Sequence, residues 1–233
     1  EISTSNAGAA GRTLQLDPVS VGLARIPVTA LTEYSVCPRK FRFTYVDGHP
    51  GLGEGSARGR IVGSLTHTAL ELRLSSIEEL RPFSNGAGDD LLEEAIGLAR
   101  NFGVNEAFAR IKQSNNENEK PITLTQNGIT LTGIADLVGD DFVLDYKTDA
   151  EMDPNHHRFQ VWAYAEALNK PKAYLAYLRH DALHEFGPEE LTEIRADAAQ
   201  LLEGVKNANY DAKPSAANCT HCVFTSICDA SVV

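Results

Sequence analysis

The spacing of apolar residues predicts helices in the first half of the chain. Between residues 61 and 74, apolar side chains recur at intervals of three and four, which is the spacing of one helix face. A second pattern of this kind follows Asp89, which can cap it, and runs toward Ile111. A shorter helix is expected to start at Val28 and to lead to Cys37.

The pattern changes to an alternation of apolar and polar residues after Pro121. Two alternating runs flank Asn127-Gly128, a pair favoured in two-residue hairpin turns. A third run, residues 142–147, follows a predicted turn at Gly139-Asp140. We therefore expect three antiparallel strands in this part of the chain.

Helix and strand signals alternate through the remaining sequence. Asp153-Pro154 places a capping carboxylate before a proline at the first helical position, and this helix is expected to end near Leu168. A strand is expected from Ala173 to Arg179, and a last long helix begins at Gly187-Pro188. The mixture of elements indicates an α/β (α+β) fold.

Composition and charge narrow the class of protein. The chain has 233 residues and 42% apolar content, which is enough for one sizeable core, so we expect residues 28–233 to form one domain after a linker over residues 1–27. No apolar run approaches the roughly 20 residues of a membrane span, and no signal-peptide pattern is present, so a cytoplasmic protein without a membrane partner is expected. A net charge of −11 restricts any nucleic-acid contact to local basic patches.

Two side chains on the third predicted strand, Asp145 and Lys147, leave the same face of the sheet because they are two residues apart. If the turn is Gly139-Asp140, Asp136 lies opposite Val143. Asp136 is then diagonal to Asp145, at about 7 to 8 Å between backbones. Two carboxylates so close repel by about 4 kcal/mol at an effective dielectric near 20, unless a cation or a proton lies between them. The pattern predicts a Mg²⁺ or Mn²⁺ site suited to phosphodiester hydrolysis, whereas a solvated strand face or an ion pair is the simpler alternative.

These residues belong to a longer set of motifs, which are Gly63-x-x-x-His67-x-x-Leu70-Glu71, Gly133-Ile134-Ala135-Asp136, Asp145-Tyr146-Lys147-Thr148 and Gln160-x-x-x-Tyr164. In content and order the set resembles the RecB-like PD-(D/E)xK nucleases of the PDDEXK_1 superfamily. The resemblance spans from about Val28 to Cys228. It implies a restriction-endonuclease-like core, with a central mixed sheet of about four to five strands flanked by helices.

The resemblance also implies a role for each motif residue. The metal ligands would be His67, Asp136, Asp145 and the carbonyl of Tyr146. Lys147 would position water or stabilise charge, while Gln160 and Tyr164 would orient Lys147 or the scissile phosphate. The implied activity is that of a Mg²⁺- or Mn²⁺-dependent deoxyribonuclease, either an exonuclease or an endonuclease, with exonuclease action favoured.

Four cysteines indicate a second metal site. Cys219, Cys222 and Cys228 have the spacing C-x-x-C-x5-C, and Cys37 lies almost the whole chain away. This spacing alone suits either a four-thiolate zinc ion or an iron-sulfur cluster. The arrangement is similar to the iron-sulfur staple of AddB-type nucleases, which implies a [4Fe-4S] cluster that joins the N- and C-terminal segments.

Contacts with DNA and with other proteins are the remaining expectations. Arg39, Lys40 and Arg42 alternate with aromatic residues after Cys37 and are candidate DNA-binding residues, although such aromatics also pack in cores. The resemblance implies the nuclease module of an AddB-type or UvrD-like helicase-nuclease, linked to or associated with a helicase, acting on single-stranded DNA or DNA ends in end processing and recombinational repair. A stand-alone CRISPR-associated-type single-strand exonuclease is one alternative, and a catalytically silent metal-stapled module that binds DNA or a partner is another.

Overall fold

One mixed sheet runs through the protein, which the computed structural model describes over residues 24–49 and 57–233. Its strands are β1 (Arg25–Pro27), β2 (Glu117–Gln126), β3 (Ile129–Val138), β4 (Phe142–Lys147), β5 (Lys172–Tyr177) and β6 (Ala182–Phe186). They are ordered β1-β3-β4-β5-β6, and β2 pairs with β3. The β1–β3 and β4–β5 pairs are parallel, and the other pairs are antiparallel.

Helices cover both faces of this sheet. They are α1 (Val28–Val36), α2 (Pro38–Phe41), α3 (Ala57–Leu72), α4 (Ile77–Leu80), α5 (Asp89–Val104), α6 (Ala109–Lys112), α7 (Pro154–Ala167), α8 (Pro188–Lys206) and α9 (Ala216–Cys219). The larger core lies between the sheet and α1, α7 and α8, with Trp162 fully buried in it. A second core lies on the opposite face, under α5 and α6, and α3 packs on α5. Every helix in the described residues is too short or too polar to cross a membrane.

The predicted fold class, a mixed sheet flanked by helices, is confirmed. The sheet has six strands in the described residues instead of the four to five expected. The additional strands, β1 and β6, have three and five residues. Strands this short carry too few alternating positions to predict from pattern, and they form because a neighbouring strand pairs with them.

Three residues that the sequence assigned to the linker, residues 25–27, belong to the sheet. Residues 25–27 form β1, and Ile26 is buried in the larger core. A linker residue would be solvated, whereas this segment pairs with β3 through backbone hydrogen bonds. The predicted linker residues 1–23 lie outside the described part of the chain.

The helix predicted after Asp89 is interrupted. Gly88, not Asp89, is the N-cap of α5, and the helix ends at Val104. Asn105 has an extended backbone and caps a separate short turn through its side chain, so the apolar spacing continues over a break in the helix. By contrast, the helix that Asp153 was predicted to cap is confirmed, because the Asp153 side chain accepts a hydrogen bond from the N–H of His156.

The turn between β3 and β4 is Asp140-Asp141, one residue later than predicted. Val138 pairs with Val143, and Gly139 N–H donates to the carbonyl of Phe142 at 3.0 Å. Gly139 is therefore a paired residue beside the turn. Its lack of a side chain serves packing, because a Cβ there would lie 2.2 Å from the ring of Phe142.

Candidate active site

The candidate site lies where β3 changes its neighbour. Residues 130–132 of β3 pair with β1, whereas Leu137 and Val138 pair with β4. Because β2 follows the other edge of β3 throughout, residues 133–136 lie in a fork between β1 and β4. Tyr164 of α7 fills part of this fork, and a Cβ at Gly133 would lie 2.9 Å from its ring.

Asp136 lies at the inner end of the fork with 8% of its surface exposed. Its Oδ2 accepts a hydrogen bond from Tyr146 N–H at 2.7 Å, so the carboxylate replaces a backbone acceptor of the sheet. The β3–β4 register, extended by two residues, sets Asp136 directly across from Asp145. The predicted position opposite Val143 is wrong, but both registers bring the two carboxylates to the same face.

His67 of α3 joins the two strands at this point. Its Nδ1 lies 3.1 Å from Asp136 Oδ1, and its Nε2 lies 3.1 Å from the Tyr146 carbonyl oxygen. Since a carbonyl oxygen only accepts, Nε2 carries a proton. Burial by itself lowers the pKa of His67, but the hydrogen bond and charge of Asp136 outweigh it and raise the pKa to about 9. Burial, followed by the charge of Asp145, raises the pKa of Asp136.

Lys147, Asp145 and α7 form the other half of the site. Asp145 is 2% exposed, and its Oδ2 lies 2.7 Å from Lys147 Nζ. Gln160 bridges the pair, since its Nε2 donates to Asp145 Oδ1 at 2.8 Å and its Oε1 accepts from Lys147 Nζ at 2.9 Å. Gln160 also contacts the Tyr164 hydroxyl at 2.9 Å. The spacing of four residues along α7 thus places both side chains in one hydrogen-bonded chain.

The structure brings all the predicted catalytic and metal-binding positions into one network. The positions are His67, Asp136, Asp145, Tyr146, Lys147, Gln160 and Tyr164. They come from two helices and two strands, and they are held by contacts between elements far apart in sequence. Their chemical roles stay predictions.

Residues 25–229 match the family described as the PD-(D/E)XK nuclease superfamily. The chain belongs to this superfamily. The predicted PD-(D/E)xK family and its restriction-endonuclease-like core are thereby confirmed, and the superfamily implies a nuclease with DNA as its substrate. The finer AddB-type and helicase-nuclease assignments stay predictions. No curated relative matches the chain significantly in sequence.

Two solved structures resemble this PD-(D/E)XK nuclease over most of their length. One is a protein from Eubacterium rectale named "Putative exonuclease", with 13% identity, a TM-score of 0.60, and coverage of 95% of this chain and 92% of that chain. The other is SSO0001, with 19% identity, a TM-score of 0.46, and coverage of 90% and 88%. At such identity, the first likeness supports the fold.

The donor chemistry of the PD-(D/E)XK site suits the Mg²⁺ or Mn²⁺ that nucleases of this superfamily generally use. Two carboxylates, an imidazole and a carbonyl oxygen converge there, and hard divalent cations prefer oxygen ligands. Burial, followed by the charge of Asp145, raises the pKa of Asp136, and a bound cation would favour the charged form of both carboxylates. In the described residues, however, no three His, Cys, Asp or Glu side chains are arranged around a common metal position. Asp145 Oδ1 instead accepts from Gln160, and the oxygens of Asp136 contact His67 and Tyr146 N–H. Asp145 Oδ2 is in an ion pair with Lys147 but has no hydrogen-bond partner among the described residues.

The four cysteines line one pocket at the end of α1, together with Arg39, Lys40 and Phe43. All four are free thiols and half-buried. The pocket thus joins Cys37 with the C-terminal segment, as the predicted staple requires. No group of thiols among the described residues is arranged to hold a metal ion, so the cluster and zinc assignments stay predictions.

Each of the three candidate DNA-binding cations has a carboxylate partner within the chain. Arg39 pairs with Asp229 at 2.8 Å, Lys40 with Glu33 at 3.7 Å, and Arg42 with Asp47 at 3.2 Å. Phe41, between them, is fully buried in the larger core. These contacts indicate that the segment packs within the protein, and they do not favour contact with DNA. The ion pair of Arg39 with Asp229 connects α2 with the C-terminal segment.

Sequence reasoning missed Glu119, which the structure places beside the site. Glu119 lies on β2 between Asn118 and Lys120, whose partners on β3 are Leu137 and Ala135, the two neighbours of Asp136. Its backbone has φ of 50°. It is half-buried, and burial followed by the charge of Asp136 raises its pKa. The residue lies in a polar stretch typical of a loop, so no local signal distinguishes it.

Proposed function

We propose that this superfamily member is a metal-dependent deoxyribonuclease whose cation is held by His67, Asp136, Asp145 and the Tyr146 carbonyl. The observation that carries the proposal is the close pairing of a lysine with one of two facing buried aspartates. Lys147 Nζ lies 2.7 Å from Asp145 Oδ2, and 13% of the Lys147 side chain is exposed, so this side chain borders the solvent from which a phosphate would approach. An ion pair built only for stability would not need a second buried carboxylate across from it.

The residues divide the hydrolytic work between them. When bound, Mg²⁺ or Mn²⁺ supplies Lewis-acid polarisation of a phosphoryl oxygen. Water attacks phosphorus and loses a proton to solvent, the bond from phosphorus to the leaving oxygen breaks, and the leaving oxygen takes up a proton from solvent. Lys147 stabilises the negative charge that develops on the phosphoryl group. Gln160 fixes the position of the ammonium, and Tyr164 fixes Gln160.

We further propose that the nuclease is an exonuclease that acts on single strands or DNA ends, as the module of a helicase-nuclease. The four ordered motifs and the cysteine spacing support this assignment. This second proposal concerns the partner protein and whether cleavage starts at a DNA end. It is independent of the chemistry of the site.

The test is a cleavage assay with linear and circular single-stranded DNA. We expect the linear strand to be degraded in Mg²⁺ or Mn²⁺ and to stay intact in EDTA, because the carboxylates need a cation to engage the phosphate. An exonuclease leaves the circular strand intact. Cleavage that persists in EDTA would contradict the metal-dependent mechanism, and cutting of the circle would contradict the exonuclease.

We propose that Cys37, Cys219, Cys222 and Cys228 hold a [4Fe-4S] cluster, with zinc as the alternative occupant. Their common pocket supports the proposal. A metal bound there would close a loop over most of the chain, and cross-links over long loops stabilise a fold mainly by restricting the unfolded chain.

Cys222→Ser is accordingly expected to lose iron, sulfide and colour in an anaerobic preparation. Its melting temperature should fall by about 5 to 10 °C, since roughly 1 kcal/mol corresponds to about 2–4 °C at this chain length. Ser226→Ala, an exposed residue of the same segment, is the control and should keep all these properties. Zinc in place of iron would identify the alternative metal, and unchanged melting with full colour would exclude Cys222 as a ligand.

A further inference from the structure

A groove lies between α3, the helix that carries His67, and the segment after α4. Its volume is about 530 Å³, and its walls include Arg60, Ile61 and Ser64 from α3 and Phe83, Ser84 and Asn85 from the segment after α4. We call it the α3 groove. Ligand sites of proteins commonly have volumes of about 300–1,000 Å³, so the groove can receive a group as large as a nucleotide.

Phe83 presents its ring to solvent from an ordered turn. The residue is 46% exposed. Backbone hydrogen bonds from Ser84 N–H to Arg81 and from Ala87 N–H to Ser84 hold the turn, and Arg81 pairs with Asp89 at 2.6 Å. These contacts hold the backbone that carries Phe83, and its exposed ring is available as a stacking surface.

Arg60 contributes a positive charge to the same groove. Two residues earlier, Arg58 forms ion pairs with Asp90 and Glu94. Arg60 is exposed and has no carboxylate partner among residues 24–49 and 57–233. Its guanidinium is thus available for an anionic ligand.

Two lining residues of the α3 groove, Arg60 and Ser64, lie on the face of α3 that carries His67. Arg60, Ser64 and His67 are spaced by four and three residues, which aligns them on that face. Ser64 is one turn from His67, at about 5–6 Å between Cβ atoms. Arg60 lies seven residues from His67, or about 10 Å along the axis. At about 3.4 Å per nucleotide, that distance corresponds to about three nucleotides of a stacked strand.

We infer that the α3 groove binds the single-stranded DNA substrate, with a base stacked on Phe83 and a phosphate on Arg60. The inference rests on the proposed nuclease function. An exposed aromatic ring and a cation that line one groove, together with polar Ser64 and Asn85, are the combination that binds single strands without sequence preference. A face of the ring is accessible to an unpaired base, whereas the bases of a duplex are already stacked on each other.

Binding of a labelled oligothymidine, measured by fluorescence anisotropy in EDTA, tests the inference without cleavage. Phe83→Leu keeps the apolar volume but removes the π-face, and we expect about tenfold weaker binding, within the range of one stacked base. Arg60→Gln should also weaken binding and lower the slope of log K against log salt by about 0.7. Arg25→Gln is the matched control, because Arg25 pairs with Thr130, about 20 Å along β3 from Asp136.

Phe83→Trp gives a direct reading of stacking. The chain contains one tryptophan, Trp162, and it is 1% exposed, so added emission that responds to DNA reports on position 83. We expect affinity near that of the wild type and quenching by the oligonucleotide. Wild-type affinity in both Phe83→Leu and Arg60→Gln, with no quenching in Phe83→Trp, would overturn the inference. Absence of wild-type cleavage in Mg²⁺ and Mn²⁺ would instead count against the nuclease function, since binding is measured separately.

Discussion

Asp145→Asn is expected to lower the rate of DNA cleavage by about 10³-fold or more. Asp145 is 2% exposed and faces both Asp136 and Lys147, so the substitution preserves shape while it removes a charge at the centre of the network. A catalytic cation supplies several kcal/mol of charge stabilisation, and each 1.36 kcal/mol corresponds to a factor of ten in rate. The measurement is the initial rate of nucleotide release from end-labelled single-stranded DNA in saturating Mg²⁺.

Asp141→Asn is the matched control for this substitution. Asp141 lies in the turn before β4 and pairs with Lys172 at 3.0 Å on the surface. The same chemical change there should leave the rate within about twofold, because exposed pairs contribute about 0–1 kcal/mol. Equal rates for Asp145→Asn and the parent protein would attribute the cleavage to a contaminant.

Lys147→Met is expected to reduce both cleavage and stability. The ammonium pairs with Asp145 at 2.7 Å and donates to Gln160 at 2.9 Å, and methionine keeps the apolar stem without the charge. Removing one partner of a buried ion pair leaves the other charge uncompensated, which costs about 3–5 kcal/mol. The loss of a preorganised charge at the reacting phosphate lowers rates by about 10²- to 10³-fold.

Urea unfolding at neutral pH without divalent metal measures the stability part of this prediction. Lys172→Met serves as the control, because Lys172 belongs to the surface pair with Asp141 and should change the free energy of unfolding by at most about 1 kcal/mol. A Lys147→Met protein with the parent's free energy of unfolding would show that Asp145 does not depend on the ammonium. Addition of Mg²⁺ should restore part of the lost stability, since a bound cation stabilises the state that binds it.

The elements that could be predicted are those specified by residues adjacent in sequence. Asn127 and Gly128 have φ of 52° and 81°, as the predicted two-residue hairpin requires. Pro188 begins α8, and Asp153 caps α7, each within one turn of its signal. These features depend on steric and hydrogen-bonding preferences of single residues, so they are readable without tertiary contacts.

The candidate site was predictable in its residues but not in its register. The β3–β4 turn lies one residue later than expected, which shifts the pairing by two residues. A shift of two leaves every side chain on its original face, and Asp136 and Asp145 still converge. The pattern of alternating positions therefore preserves the site even where the turn is misplaced.

Features that depend on distant segments could not be predicted. β1 exists because β3 pairs with it, and Glu119 joins the site because β2 brings it beside Asp136. β1 has only three residues, and Glu119 precedes the alternating run of β2 that starts at Ile122, so no local pattern reveals the place of either. The intrachain partner of Arg39, Asp229, lies 190 residues away, so the local basic and aromatic composition suggested a DNA contact that the packing does not favour.

The sequence by itself determined the succession of helices and strands and the residue types of the catalytic motifs, because propensity, capping and alternation act over a few neighbouring residues. Tertiary structure alone decided the fork in the sheet at Gly133, the bridge from Gln160 to Asp145 and Lys147, and the meeting of Cys37 with the C-terminal cysteines. These contacts depend on how whole elements pack against each other. Their geometry follows from the shared core, which no short stretch of sequence specifies.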